Sequence, residues 1–187
     1  IIISHFDNDH VQGILYIMQE IKVKNIIIGK QYENNENYRK FIEIARKRKI
    51  NISVVNAGKR ITIEKNIFFD ILWPKESNII TKNIINNNAI VCKFNYVLKQ
   101  TKFSILFTGD IEEEAEKEIE KIYKQEILES TILKIAHHGS KTSSGDEFLK
   151  LVKPEIALIG VGKNNRYGHP SEQIIERLKK QNIKIYR

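Results

Sequence analysis

The placement of the five histidines constrains the fold of this chain more than any other feature of its sequence. Histidine used as an ordinary core or surface residue has no reason to gather beside carboxylates at strand ends. A metal centre, in contrast, needs neutral imidazoles and ionised carboxylates that converge from separate loops. All five histidines lie in three short loop-like segments, which are His5 to His10, His137 to Gly139 and Tyr167 to Pro170. The chain must therefore fold so that these segments meet.

The first segment holds the densest set of candidate ligands. It follows the apolar run Ile1 to Ile3, which predicts a buried strand, and it precedes a helical pattern of apolar residues from Ile14 to Ile21. The carboxyl end of a strand, where α/β proteins usually build sites, would then hold the candidate ligands His5, Asp7, Asp9 and His10. Alternate residues of an extended segment point the same way, so Asp7 and Asp9 can follow His5 into one pocket. This spacing allows two metal ions.

Composition sets limits on the class of protein. With 187 residues, 41% of them hydrophobic, the chain can bury the core of one globular domain, predicted over residues 1–187. No apolar run approaches the roughly 20 residues of a membrane span. The lone cysteine, Cys92, excludes a disulfide framework or a thiolate cluster within the chain.

The net charge has two competing explanations. A value of +8 favours an acidic partner such as nucleic acid. However, many lysines alternate with glutamates along predicted helices, as from Glu112 to Lys124, and these are typical of solvated helix faces. The abundance of Ile, Asn and Lys also fits an AT-rich coding bias. Charge alone therefore does not decide between a nucleic-acid partner and a solvated surface.

The order of predicted elements is that of an α/β protein. Strands alternate with helices at both ends, and the middle from Arg60 to Phe107 predicts antiparallel strands around a long polar loop from Pro74 to Asn88. Helical patterns centre on Phe41, Ile119 and Ile175. The chain opens directly on a strand and closes on another, which predicts a fragment of a longer polypeptide.

Several motifs resemble one known family. The segment Ser4 to Gly13 resembles the His-x-His-x-Asp-His signature of the metallo-β-lactamase superfamily, with Asp7 in place of the second histidine. Its pattern Ser-His-x-Asp-x-Asp-His-x-x-Gly is similar to the soluble domain of the ComEC family of DNA-uptake (competence) proteins. Further segments match that family, so the resemblance covers nearly the whole chain: Asn86 to Asn88, Thr108 to Asp110, Lys134 to Ser143 and Gly162 to Pro170. It implies an α/β αββα sandwich whose first strands are missing from this chain.

The resemblance also implies a set of metal ligands. His5 and Asp7 would hold one ion, Asp9 and His10 would hold the other, Asp110 would bridge both, and either His137 or His138 would complete the second site. The chain has no histidine between His10 and His137, so the first ion lacks an expected third imidazole. Asn88 is the candidate in its place. Because Asp7 adds a hard oxygen donor, the metal preference moves from Zn²⁺ toward Mn²⁺ or Mg²⁺. The sequence leaves open which of these metals binds and whether one or two ions are present.

The implied chemistry is metal-dependent hydrolysis, with Asp9 and Asp110 acting through the metals. His169 lies beyond the ligand set, beside Arg166 and Tyr167, and is the candidate for contacting phosphate or protonating the leaving oxygen. Further phosphate donors are predicted at Ser140, Lys141, Thr142 and Ser143. Asn88, Arg166 and Tyr167 are also predicted to contact the substrate. Two of these assignments have simpler alternatives. Asp110 could cap a helix from Ile111 to Lys124, and the Ser140 to Ser144 run could cap the next helix.

Three functions are compatible with these residues. The first is a phosphodiesterase or nuclease that acts on DNA, as part of a ComEC-like DNA-uptake protein. The second keeps the site but hydrolyses small phosphoesters or other esters, since fold does not determine function. The third is a non-catalytic DNA-binding module with a degenerate metal site. A ComEC-like chain would lie on the extracytoplasmic face, joined to the membrane only through missing parts of the polypeptide; otherwise it would be soluble. No feature of the sequence indicates an oligomer.

Overall fold

The computed structural model describes residues 1–30, 35–99 and 101–187. Among these residues, the first sheet has three parallel strands in the order β1-β2-β3. They are β1 (Ile2–Ile3), β2 (Asn25–Gly29) and β3 (Asn51–Val55), connected by helices α1 (Asn8–Glu20) and α2 (Glu36–Arg48). The apolar run at the start of the chain therefore forms the first strand, as predicted, and α1 begins within the first histidine segment.

The second sheet is larger and mixed. Its seven strands, counted over the described residues, follow the order β10-β9-β8-β7-β6-β5-β4. The strands from β4 to β7 pair antiparallel, and those from β7 to β10 pair parallel. They are β4 (Arg60–Glu64), β5 (Ile67–Trp73), β6 (Val91–Leu98), β7 (Thr101–Phe107), β8 (Ile132–Lys134), β9 (Ile156–Leu158) and β10 (Lys184–Tyr186).

Helices cover the outer faces of both sheets. Helices α1 and α2 pack on the small sheet around the buried side chains of Phe6, Met18 and Phe41. The large sheet packs on the other helices around a cluster that includes Trp73 and Phe148. These helices are α4 (Glu113–Ile122), α5 (Gln125–Leu128), α6 (Asp146–Val152) and α7 (Glu172–Lys180), whereas the short α3 (Ile84–Asn87) precedes β6. None of the described helices combines the length and apolar character that crossing a membrane requires.

A thinner apolar layer joins the two sheets. Ile71, Ile90 and Cys92 are buried there, with Ile2 and Val55 of the small sheet packed against them. Burial raises the pKa of the Cys92 thiol to about 12, so this cysteine is a core residue rather than a reactive one. The order of layers is helix, sheet, sheet, helix, which confirms the predicted αββα class.

The boundaries of several elements differ from the predictions. The antiparallel middle is confirmed, but the loop from Pro74 to Asn88 contains helix α3 and becomes buried from Asn86 onward. The helix predicted from Ile111 begins only at Glu113, because its N-cap residue Glu112 has an extended backbone. Helix α5 had no prediction, since four residues are too short for a periodic pattern.

Candidate metal centre

The predicted segments meet at one edge of the sheets. Strands β7, β8 and β9 run parallel, so their carboxyl ends lie side by side. Asp110 follows β7, His138 follows β8, and Asp9 and His10 lie in the first turn of α1, which a four-residue segment separates from β1. Helix α1 starts at Asn8, with Asp7 as its N-cap residue. The predicted extended conformation therefore ends at Asp7, and helical backbone brings Asp9 and His10 to the site.

Four side chains offer ligand atoms to a single point. One atom each from Asp9, His10, Asp110 and His138 lies within 4.8 Å of the others. The Nε2 atom of His138 is 2.9 Å from Oδ2 of Asp9, 3.1 Å from Nε2 of His10 and 3.2 Å from Oδ2 of Asp110. Ligands at about 2.0–2.1 Å from a tetrahedral zinc ion lie roughly 3.4 Å apart. The spacing of these atoms therefore fits one divalent ion.

Asp110 is the buried anion of this group. Its Oδ2 atom lies 3.2 Å from Nε2 of both His10 and His138, and its Oδ1 atom accepts a hydrogen bond of 3.2 Å from Nζ of Lys134. Burial opposes ionisation, but these hydrogen bonds and the charge of Lys134 outweigh it and hold the pKa of Asp110 well below its ordinary range. Asp110 is therefore an ionised candidate ligand, and it does not cap α4, whose N-cap residue is Glu112.

Unusual backbone geometry directs His138 into the group. His137 and His138 both adopt left-handed conformations, with φ of 47° and 53°, which non-glycine residues rarely adopt and which concentrate at functional sites. The Nδ1 atom of His138 donates to the carbonyl of Gly160 at 2.6 Å. That bond orients the ring so that Nε2 faces the other candidate ligands, the arrangement usual for metal-binding imidazoles.

His137 points elsewhere. Its Nδ1 atom lies 3.3 Å from Oε1 of Glu112, and its ring meets the ring of His169 edge-on with centroids 5.8 Å apart. Glu112 also accepts a hydrogen bond of 3.0 Å from the hydroxyl of Thr142. Of the two histidines predicted as alternatives, the structure brings His138 into the four-residue group and holds His137 beside it.

This difference predicts unequal effects on metal affinity for substitutions at two neighbouring residues. We expect His138→Ala to weaken Mn²⁺ or Zn²⁺ binding at least tenfold, because one of four ligands is lost, whereas His137→Ala should leave the dissociation constant within roughly threefold. Isothermal titration of metal into chelator-treated protein measures both. Equal losses would show that His137 also ligates the ion.

His5 and Asp7 form a second pair beside the group. Nε2 of His5 is 3.9 Å from Oδ2 of Asp7, and the rings of His5 and His10 have centroids 4.1 Å apart. His5 is buried, and its Nε2 atom has no hydrogen-bond partner. Burial, with the charge of His10, lowers the pKa of His5 to about 3, so its imidazole stays neutral. A neutral imidazole with an unpaired buried nitrogen fits a metal ligand.

The second pair has a smaller ligand set than the first group. Among the described residues, only the group around Asp110 contains three or more convergent His, Cys, Asp or Glu side chains. Burial, and the neighbouring charge of Asp9, raise the pKa of Asp7, which reduces its readiness to ionise without a cation nearby. An ion held by His5 and Asp7 would therefore bind more weakly than an ion held by the group around Asp110.

The structure contradicts the prediction for Asn88. Its amide donates to the carbonyls of Ile80 and Ile84, both at 2.7 Å, and its Oδ1 atom accepts from the backbone of Ile80 at 3.2 Å. All of its strong hydrogen-bonding groups therefore close the loop before α3. The adjacent Asn87 accepts from the backbone N–H of Glu112 at 2.9 Å. Asn87 and Asn88 therefore have structural roles, and Asn88 is neither a metal ligand nor a substrate contact in this conformation.

Most of the predicted phosphate donors after His138 are also used internally. The hydroxyl of Ser143 donates to the carbonyls of Ala136 and Ser140, and the hydroxyls of Ser140 and Thr142 bond each other at 2.9 Å. These three hydroxyls therefore shape the loop, because their hydrogen bonds are already made. Lys141 is exposed and projects from it. The run does not cap α6 either, since the N-cap residue is Gly145.

The third histidine segment lies next to the group without joining it. Asn165 organises this loop: its Oδ1 atom accepts from the backbone of Tyr167 and His169, and its amide donates to the carbonyls of Gly162 and His169. Arg166 and Tyr167 are exposed. Burial, and then the charges of His137 and His138, lower the pKa of His169. Of its two predicted roles, contact with phosphate therefore fits better than proton donation at neutral pH.

Two residues of the site had no sequence-based prediction. Lys134 and Glu112 contact Asp110 and His137, respectively. Strand alternation offered a signal for Lys134, because it lies between the apolar residues Leu133 and Ile135 and must face the opposite side of β8. Glu112 had no such signal, since it lies in a segment of alternating charges that is typical of exposed helices.

Comparisons with known proteins agree with this architecture. The chain is 31% identical over 187 residues to ComE operon protein 3 of Bacillus subtilis, covering 100% of this chain and 23% of that protein. It is 30% identical over 178 residues to Recombination protein 2 of Haemophilus influenzae, covering 95% and 19%. The chain thus spans about a quarter or less of these relatives. No protein-family model matches it.

A solved structure shares the fold. The chain superimposes on a metallo hydrolase from the archaeon Ignicoccus hospitalis with a TM-score of 0.57 and 13% identity, over 99% of this chain and 73% of that one. The fold is that of the metallo-β-lactamase superfamily. Within it, the chain is a metallo-β-lactamase-like domain whose sequence is similar to part of competence proteins of the ComEC type.

Proposed function

We propose that this chain is a metal-dependent phosphodiesterase that cleaves DNA. The observation that carries the proposal is the convergence of Asp9, His10, Asp110 and His138 within 4.8 Å, next to the unpaired imidazole nitrogen of His5. When bound, a divalent ion in such a site polarises a phosphoryl oxygen and generates a nucleophile from water near neutral pH. The relatives named for competence and recombination support DNA over a small ester.

The surrounding residues support substrate binding. Lys141 and Arg166 extend from the two loops beside the group and are exposed, so both can meet phosphates without losing a partner inside the protein. His169 lies beside His137, with ring centroids 5.8 Å apart, and we assign it to a phosphoryl oxygen of the substrate. Tyr167 stacks on His169 with ring centroids 5.9 Å apart and is 83% exposed, which makes it available to stack on an unpaired base.

A nuclease assay with defined metals tests the proposal. The chelator-treated chain is incubated with single-stranded DNA, duplex DNA or bis(p-nitrophenyl) phosphate, with Mn²⁺, Mg²⁺ and Zn²⁺ supplied in turn. We expect metal-dependent cleavage of DNA that is lost on adding EDTA. Turnover of the small ester without DNA cleavage would support the small-ester hydrolase, and metal-independent DNA binding without any cleavage would support the non-catalytic module.

Arg166 provides a test of the DNA-binding surface. We expect Arg166→Ala to weaken binding about equally for all sequences and to reduce the slope of log affinity against log salt by roughly one unit, the effect of one lost phosphate contact. Fluorescence anisotropy with labelled oligonucleotides at several salt concentrations measures this slope. The matched control is Lys65→Ala, in the turn between β4 and β5 at the opposite edge of the sheet. A slope unchanged by Arg166→Ala would remove this loop from the binding surface.

A further inference from the structure

Lys134 had no predicted role, yet its side-chain ammonium group lies beside the candidate ligand Asp110. It is the last residue of β8, and its side chain is 21% exposed. Together with His10 and Gly109, it borders a cavity of about 340 Å³ that is otherwise lined mainly by apolar residues. An ammonium group in such surroundings needs hydrogen-bond acceptors. Lys134 finds them in the segment that carries Asp110.

Two contacts connect Lys134 to this segment. Its Nζ atom donates to the carbonyl of Gly109 at 2.8 Å and to Oδ1 of Asp110 at 3.2 Å. The backbone of Lys134 is itself fixed, since its carbonyl accepts a hydrogen bond of 2.6 Å from the hydroxyl of Thr108. The segment from Thr108 to Asp110 and Lys134 are therefore joined by hydrogen bonds to both the main chain and the side chain of Lys134. The carboxylate of Asp110 has little freedom to rotate.

Because of this contact, the two carboxylate oxygens of Asp110 have different partners. Oδ1 is taken by Lys134, and Oδ2 faces His10 and His138. On the basis of the metal-binding role proposed above, we infer that Lys134 is a positioning residue that restricts Asp110 to one ligating oxygen. A carboxylate held in this way would give a bound ion one oxygen instead of two, and catalytic metal sites keep a position open for substrate. The same ammonium places a positive charge beside the ion and weakens its binding.

This role predicts that metal affinity and turnover change in opposite directions. Lys134→Met frees the second oxygen of Asp110 and removes the neighbouring positive charge, so Mn²⁺ should bind roughly tenfold more tightly. Hydrolysis should fall by about 10- to 100-fold, the usual effect of losing a residue that orients a metal ligand. Lys134→Gln loses the charge but keeps a donor for Oδ1. It should bind Mn²⁺ more tightly while retaining more of the turnover than Lys134→Met.

The experiment measures both quantities on the same preparations. Isothermal titration gives the Mn²⁺ dissociation constant of the chelator-treated chain, and bis(p-nitrophenyl) phosphate gives the rate. The matched control is Lys93→Met, which removes a half-buried lysine of the same sheet that also donates to backbone carbonyls, those of Ile127 and Glu129. Its Mn²⁺ affinity should equal that of the wild-type chain.

Weaker or unchanged Mn²⁺ binding by Lys134→Met with native circular dichroism would overturn the inference, because a purely structural lysine has no reason to oppose metal binding. If Lys134→Met fails to fold, the Mn²⁺ affinity of Lys134→Gln tests the inference in the same way. A wild-type chain that binds Mn²⁺ but hydrolyses neither DNA nor the ester would reject the proposed function. The affinities of the variants would still test Lys134.

Discussion

Asp110→Asn is expected to eliminate hydrolysis while leaving the fold intact. Because Lys134 donates to one oxygen of Asp110, an amide at this position should turn its oxygen toward Lys134 and present its NH₂ group to His10 and His138. An NH₂ group cannot ligate a metal ion. Loss of several kcal/mol of transition-state stabilisation corresponds to a rate decrease of roughly 10³-fold or more.

The measurement is the rate of DNA cleavage at saturating Mn²⁺, together with Mn²⁺ affinity by titration. Asp70→Asn is a matched control, since Asp70 pairs with Arg60 on β4 and β5, away from the metal centre. A wild-type cleavage rate for Asp110→Asn would assign the activity to a contaminant or to another site. DNA binding should survive better than cleavage, because the basic loops are unchanged.

The second large effect concerns Glu116 and the pH dependence of stability. Glu116 lies on α4, is 1% exposed, and accepts hydrogen bonds from the backbone N–H groups of Ser144 and Gly145. Burial outweighs these bonds and raises its pKa from 4.5 to about 7. Between these values the folded chain keeps the proton that the unfolded chain releases. Glu116 therefore lowers the free energy of unfolding by about 3 kcal/mol as pH rises from about 4.5 to above 7.

Glu116→Gln removes this titration. Glutamine presents an NH₂ group in place of one of the two oxygens that face the N–H groups of Ser144 and Gly145, so the variant should be less stable than the wild-type chain at pH 4.5. Its stability relative to wild type should then improve by about 3 kcal/mol toward pH 8. Urea unfolding of both proteins in EDTA at several pH values gives the difference. Glu43→Gln, exposed on α2, is the control. A difference that stays constant with pH would contradict the prediction.

The sequence by itself determined the class of fold and the location of the site. Apolar runs with periods of two or 3.6 residues marked the strands and most helices, because burial of one face imposes those periods. The histidine and aspartate motifs marked the strand ends, because chemistry at the edge of a sheet needs polar residues directly after apolar ones. Element boundaries near the site were less accurate, since Asp7 ends the extended segment and a helix begins at Asn8.

Only the tertiary structure decided which motif residues meet. His137 and His138 are adjacent in sequence, but two successive left-handed residues turn one toward Glu112 and the other toward Asp110. Asn88 lies in a matching motif, yet its amide is consumed by backbone groups of its own loop. Lys134 gains its partner through the pairing of β7 with β8, which brings together residues 24 apart in the chain. Side-chain direction and hydrogen-bond saturation depend on contacts between distant segments, and no local pattern records them.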